Sequence, residues 1–159
     1  MRDALLRQLA TPVSRLQPVD AAAALLVHEN GRYIVQLRDA KVDIFYPGHW
    51  GCFGGAVEKG EAPEQALRRE LKEELEFEMQ EGRRFTRFDF DFDALGFPKV
   101  YRIYYEVPVS AKAFDRFVLH EGADFKAFEA RELLGQENVT PYDAFAIWMH
   151  ASRLQFKGE

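Results

Sequence analysis

One α/β domain with a mixed sheet is the fold class that the sequence predicts, and three stretches carry that reading. Thr86 to Phe92 alternates strictly, with Phe88, Phe90 and Phe92 on one side and Arg87, Asp89 and Asp91 on the other, as a half-buried strand does. Glu61 to about Leu75 places Leu67, Leu71 and Leu75 at helical spacing. AAAALLVHENGRYIVQL reads as a hairpin: an apolar strand ends near His28, Glu29-Asn30-Gly31 supplies the turn, and Tyr33 to Leu37 returns.

The remaining elements follow in chain order. The first twenty residues form a lead-in, with Leu5, Leu6 and Leu9 on one side of a short amphipathic helix. AKVDIFYPGHWGCFGG reads as a long loop, punctuated by Pro47, Gly48 and Gly51. Val100 to Val109 is a strand, joined to the Thr86–Phe92 strand by a turn at Gly96-Phe97-Pro98. A short strand around Phe125 to Phe128 and a helical turn come next. A last helix opens with Thr140 as N-cap and Pro141 at the first helical position, and Trp148 with Ala144 or Phe145 gives it a buried side. No repeat or linker divides residues 1–159, so one domain is expected.

Composition narrows the function. A net charge of -5 argues against non-specific binding to nucleic acid or to an anionic membrane, which needs a basic surface. Cys52, the single cysteine, cannot form an internal disulfide, and no stretch approaches the ~18 apolar residues of a membrane span. A cytoplasmic protein acting on a small molecule is the expectation, with a homodimer left open.

The chemistry concentrates in GGAVEKGEAPEQALRRELKEELEF. With Ala66 set at zero, Glu70 falls at about 40°, Glu73 at about -20° and Glu74 at about 80° around the helix axis. Leu67, Leu71 and Leu75 take one sector, and Arg68, Lys72 and Glu76 take a solvent sector. The third sector is therefore carboxylate. Like charges three or four apart repel, and in the C-terminal half the helix dipole adds to the cost. A solvated acidic face would tolerate this; a bound cation would remove it. Gly54-Gly55 just upstream lets bare backbone approach a ligand, which favours the cation.

These residues resemble the Nudix box, Gly-x5-Glu-x7-Arg-Glu-U-x-Glu-Glu-x-Gly-U with U apolar. Gly55, Glu61, Arg69, Glu70, Leu71, Glu73, Glu74 and Phe77 stand in register, and only the late glycine departs, as Glu76. The resemblance implies the Nudix fold, an α/β/α sandwich with a mixed central sheet. It implies a metal-dependent hydrolase that cleaves a pyrophosphate bond in a nucleoside diphosphate derivative, a nucleoside triphosphate or nucleotide sugar being favoured. Mg2+ or Mn2+ would be held by Glu70 and Glu74, with Glu73 directly or through water and a carbonyl of Gly54 or Gly55. Arg69 and Glu61 would form a supporting ion pair. Glu70, Glu73 and the distant Glu121 are the candidates for the general base. Tyr46, His49, Trp50 and Phe53 are the aromatic candidates for substrate contact. Glu76 either accepts a left-handed conformation or lets the helix run on toward Gly82. Two other readings remain: an isopentenyl diphosphate isomerase-like enzyme, and a Nudix-like module that binds nucleotide with little turnover.

Overall fold

The computed structural model describes residues 16–155. The helix expected around Leu5, Leu6 and Leu9 lies outside the described residues. The strands are β1 (Ala21–His28), β2 (Tyr33–Leu37), β3 (Trp50–Gly51), β4 (Phe53–Ala56), β5 (Arg83–Phe90), β6 (Val100–Val109) and β7 (Asp124–Phe128). The helices are α1 (Pro63–Leu75), α2 (Ala111–Phe114), α3 (Ala130–Leu134) and α4 (Pro141–Ala151). One sheet holds all the strands, in the order β3-β2-β1-β6-β5, with β4 added to β1 and β7 added to β2. Among the described strand pairs only β1 and β6 run parallel, from Ala21 opposite Arg102 to His28 opposite Val109. The sheet is mixed.

β1 is apolar on both faces because both faces are covered. Ala22, Ala24 and Leu26 point to a core with Leu67, Leu71 and Leu75 of α1, while Ala23 and Leu25 point to a second core with Leu133, Ala146 and Ile147 of α3 and α4. Such a strand reads as a continuous hydrophobic run. The result is three layers, helix on sheet on helix. The three α1 leucines are fully buried, each contributing about 1.5 to 3 kcal/mol, and they fix the helix that carries the carboxylates.

Four local expectations are corrected. The glycine-rich stretch before α1 is not loop throughout: β3 pairs with β2, and β4 pairs with β1 from Ala21–Ala56 to Ala24–Phe53. Tertiary pairing overrides the weak strand propensity of glycine there. α1 starts at Pro63, with Ala62 as N-cap and its backbone N–H given to Gln65 Oε1 at 2.9 Å, so Glu61 stays in the preceding turn. β5 runs Arg83–Phe90 with an irregularity between Arg84 and Thr86, and Phe92 leaves the strand because its carbonyl accepts from Leu95 N at 2.8 Å in a tight turn.

The buried side of α4 is the fourth correction. It is Asp143, Ala146, Ile147 and His150, whereas Phe145 and Trp148 are 54% and 44% exposed. The two polar residues turn inward because partners await them. Asp143 accepts from Cys52 N at 2.9 Å and Tyr104 Oη at 2.7 Å and pairs with Arg102 at 3.1 Å. His150 Nδ1 bonds Tyr33 Oη at 2.7 Å, and its Nε2 bonds Glu106. Buried polar groups so satisfied can displace aromatic ones from a core. Thr140 holds the N-cap position, but its side chain makes no capping bond.

Of the two outcomes open to Glu76, the chain takes the left-handed one, at φ 54° and ψ 30°, and α1 ends at Leu75. Its carboxylate bonds His120 Nε2 at 2.7 Å. The left-handed conformation costs a non-glycine residue about 1 to 2 kcal/mol, and an exposed pair returns about 0 to 1. Glu76→Gly is therefore expected to raise stability by up to about 1 kcal/mol, with activity unchanged. Denaturant unfolding of both proteins checks it, and a marked loss of stability would show that the His120 pair dominates.

Candidate active site

α1 and β4 meet face to face, and glycine makes the meeting possible. Gly54 has φ 135°, and a Cβ there would lie 2.2 Å from the Ala22 carbonyl oxygen. A Cβ at Gly55 would lie 2.5 Å from the carboxyl carbon of Glu70. The glycine backbone is thus the floor against which the Glu70 carboxylate rests. Glu74, one turn on and 4% exposed, accepts from Gly54 N at 3.2 Å.

Burial dominates the electrostatics. Desolvation, then the neighbouring Glu70 charge and that of Glu121, push the Glu74 carboxyl up to about 8, against the pull of the Gly54 hydrogen bond and Arg38. Glu70 is also raised, first by burial, although Arg69 opposes this with a bond of 2.6 Å to Oε1. Glu61 is held below the usual carboxylate range by Arg69, which bonds it through Nε at 2.9 Å and Nη2 at 3.0 Å. The same Nη2 donates to the Ala56 carbonyl at 3.0 Å, so one guanidinium joins α1, the turn before it and the end of β4. Glu73 stands at the rim, 61% exposed, reached by Arg69 at 3.5 Å.

Glu121 arrives from elsewhere in the chain. The last carbonyls of a helix lack intrahelical partners. At α1 they are taken by the loop before β7, with Val118 N on Leu75 O at 3.1 Å and His120 N on Glu74 O at 2.8 Å. Ala123 N on Leu37 O at 2.8 Å ties the other end of the loop to β2. Glu121 lies between these anchors, and its charge is felt at both Glu70 and Glu74.

Sequence reasoning missed the cations beside this group. A surface cleft is lined by Gln36, Arg38, Asp39, Lys41, Ile44, Glu121 and Gly122. Arg38 is anchored by Nε on the Phe45 carbonyl at 2.8 Å. The signal was available in Gln36-Leu37-Arg38-Asp39-Ala40-Lys41, cations just past the end of β2.

The aromatic candidates divide. Phe53 is fully buried beneath α1, in the core that α1 shares with β1. Trp50 packs on the other side of the sheet, edge-on to Phe128 with centroids 4.9 Å apart, against the core of α3 and α4. Half-buried there, it makes the contacts of a packing residue. Trp50→Ala is expected to cost about 2 kcal/mol or more of stability with KM unchanged. A rise in KM for nucleotides at unchanged melting temperature would return Trp50 to the substrate site. Tyr46 remains at the surface, edge-on to His49 at 5.4 Å and to Tyr142 at 5.8 Å, and Arg102 lies 4.9 Å from the Tyr142 ring centre. Tyr142 had no distinguishing signal beyond its place after Pro141.

A buried and a half-buried carboxylate, a third from a separate loop and a glycine backbone present hard oxygen donors, the set that Mg2+ or Mn2+ prefers. Among the described residues no group of three or more His, Cys, Asp or Glu side chains is placed to hold a metal ion by itself. A cation here would take part of its coordination from substrate phosphate and water.

Three layers with a carboxylate helix against a glycine strand define the class: a mixed α/β domain with its acidic helix face turned to bare backbone. The chain belongs to the Nudix family, since the NUDIX domain model matches residues 17–147. Nucleoside triphosphatase NudI of Enterobacter sp. (strain 638) is 42% identical over 50 residues, 31% of this chain and 35% of that protein. Its namesake from Escherichia coli O139:H28 (strain E24377A / ETEC) is 44% identical over 50 residues, again 31% and 35% of the two chains. The match therefore spans about a third of the length of these curated relatives. The MutT protein from Methanosarcina mazei Go1 superposes with a TM-score of 0.69 at 22% identity, covering 89% of this chain and 98% of that one. The E. coli ORF135 protein gives 0.70 at 22% identity, with 93% and 99% covered. These two share the fold. Among the described residues no helix is long and apolar enough to cross a membrane.

Proposed function

We propose that this chain is a Mg2+- or Mn2+-dependent pyrophosphohydrolase of a nucleoside diphosphate derivative, with a nucleoside triphosphate the favoured substrate and a nucleotide sugar next. One observation carries the reading: a buried Glu74 and a half-buried Glu70 stand together against Gly54-Gly55, with Glu121 on a separate loop and its charge felt at both. Burying several carboxylates together is costly unless a cation joins them. The partial match to nucleoside triphosphatases supports the nucleotide.

Glu70 and Glu74 would hold the ion, with a carbonyl of Gly54 or Gly55 and with Glu73 through water. When bound, it supplies charge neutralisation at phosphate oxygens and a more acidic water. Arg69 fixes the direction of the Glu70 carboxylate and, through Glu61 and Ala56, its distance from β4. Arg38 and Lys41, flanking Glu121, bind phosphate oxygens that the carboxylates would otherwise repel. Glu121 takes the proton from the attacking water, since it reaches the site from a separate loop and is not tied to Arg69 as Glu70 and Glu73 are. Tyr46, His49 and Tyr142 offer planar groups to the nucleoside, which leaves the phosphates on the Arg38 side.

The test is a screen of nucleoside triphosphates, nucleotide sugars, ADP-ribose and dinucleoside polyphosphates with Mg2+ or Mn2+, products identified by mass spectrometry. Hydrolysis at a phosphoanhydride of a triphosphate, lost on chelation, is expected. Measurable nucleotide binding without turnover would instead make this a binding module, and isomerised prenyl diphosphate would place it with the isomerases.

A further inference from the structure

We propose that two copies of this chain associate by antiparallel pairing of their β5 strands about a twofold axis at Phe88. Three independent observations converge on that strand. The first is topology: β5 ends the sheet, and β6 is its only strand partner among the described residues. An edge strand offers its outer row of backbone groups to another chain.

The second is a seam of aromatic rings over this edge, on the α4 side of the sheet. Phe92 stacks on Phe90 at 6.2 Å, Phe90 meets Phe88 at 6.5 Å, Phe88 meets Phe145 of α4 at 5.7 Å, and Phe145 stacks on Trp148 at 5.7 Å. Phe92 and Phe145 are 43% and 54% exposed. A contiguous aromatic patch of this kind marks interaction surfaces far more often than single exposed rings do.

The third selects the occupant. The strand and its exit read Arg83-Arg84-Phe85-Thr86-Arg87-Phe88-Asp89-Phe90-Asp91, basic in the first half and acidic in the second. Charged edges ordinarily deter pairing. Here their order makes one partner favourable: a second β5 running the opposite way. With Phe88 opposite Phe88 of the second copy, Arg87 of each strand faces Asp89 of the other, while Thr86 and Phe90 face each other across the axis. Opposite charges directly across a ladder are favourable and like charges are not, so the parallel arrangement is rejected. Arg87 and Asp89, now bonded within the strand at 2.8 Å, share the exposed face opposite the seam and exchange partners without turning over. The irregularity before Thr86 confines pairing to Thr86–Phe90. Both surfaces of the joint are then self-complementary, as an isologous interface requires.

Sedimentation equilibrium of the full chain, from about 1 to 100 μM, tests this. Twice the chain mass is expected for the wild type. Arg87→Asp and Asp89→Arg alone each place like charges across the axis, and the dissociation constant is expected to rise about tenfold or more. The double variant R87D/D89R restores opposite charges across the axis and is expected to restore the dimer. Phe145→Glu, on α4 and outside the strand, weakens the dimer without touching the ladder. A monomeric wild type across this range overturns the proposal and leaves the seam to another partner. So does a dimer that both single reversals and Phe145→Glu leave intact, and so does a double variant no tighter than the singles.

Discussion

Glu74→Gln is expected to lower kcat by about a thousandfold while the fold persists. Glu74 is the most buried carboxylate of the site, and Gly54 N–H addresses its Oε2. A glutamine keeps the volume and can still accept that bond, so packing survives. It cannot supply the negative charge that would hold a divalent ion, and in chelator it removes a carboxyl that burial keeps protonated at neutral pH. The variant should therefore melt higher than wild type in chelator. Wild type should gain stability when Mg2+ is added, and the variant should gain much less. Glu73→Gln is the internal comparison. That carboxylate is largely solvated and is tied only to Arg69, so its loss should cost clearly less than the loss of Glu74. Wild-type turnover by Glu74→Gln at saturating Mg2+ would remove the metal assignment, whatever the binding data show.

How far the sequence carried this site depends on whether the relevant residues lie on one element. The three-sector helix needed only a 3.6-residue period, so the contiguity of Glu70 and Glu74 was readable from spacing. The close approach of Gly55 to Glu70 was suggested by the paired glycines, but not that they stand in a strand; that follows from β4 joining β1, a pairing between distant segments. Glu121 was reachable only as a candidate, because its place depends on loop amides capping the carbonyls of α1. Arg38 was missed since a cation after a strand is common and nothing local marks it. Trp50 and Phe53 stand just before Gly54-Gly55 in sequence, yet they pack on opposite faces of the sheet, Phe53 in the α1 core and Trp50 against the core of α3 and α4. On α4 an apolar period favoured Trp148 and Phe145, while the actual inward face was chosen by Asp143 and His150, whose partners lie on other strands. Each failure is a long-range contact overriding a local signal.

In chelator, stability is expected to fall as pH rises from about 5 to about 8, and Glu74→Gln should abolish most of that fall. The folded Glu74 carboxyl is pushed up to about 8 from 4.5 by burial and by the neighbouring glutamates. Between those values the folded chain keeps a proton that the unfolded chain has released. Stability then declines with pH, and the full stability is present only below the unfolded value. At 1.36 kcal/mol per unit the loss is on the order of a few kcal/mol, shared with Glu70, whose carboxyl is shifted the same way. His150 acts in the opposite direction: burial holds its imidazole below the ordinary value, so it favours the folded state as pH rises through the acidic range. The measurement is therefore the difference between wild type and Glu74→Gln, by urea unfolding at each pH. Saturating Mg2+ should flatten the wild-type curve from above, since the ion binds the ionised carboxylates and competes with the proton. A difference between the two proteins that stays constant from pH 5 to 8 would mean that Glu74 is ordinarily ionised in the folded chain. The buried charge would then already have a partner, and the case for a cation at this site would lose its electrostatic basis.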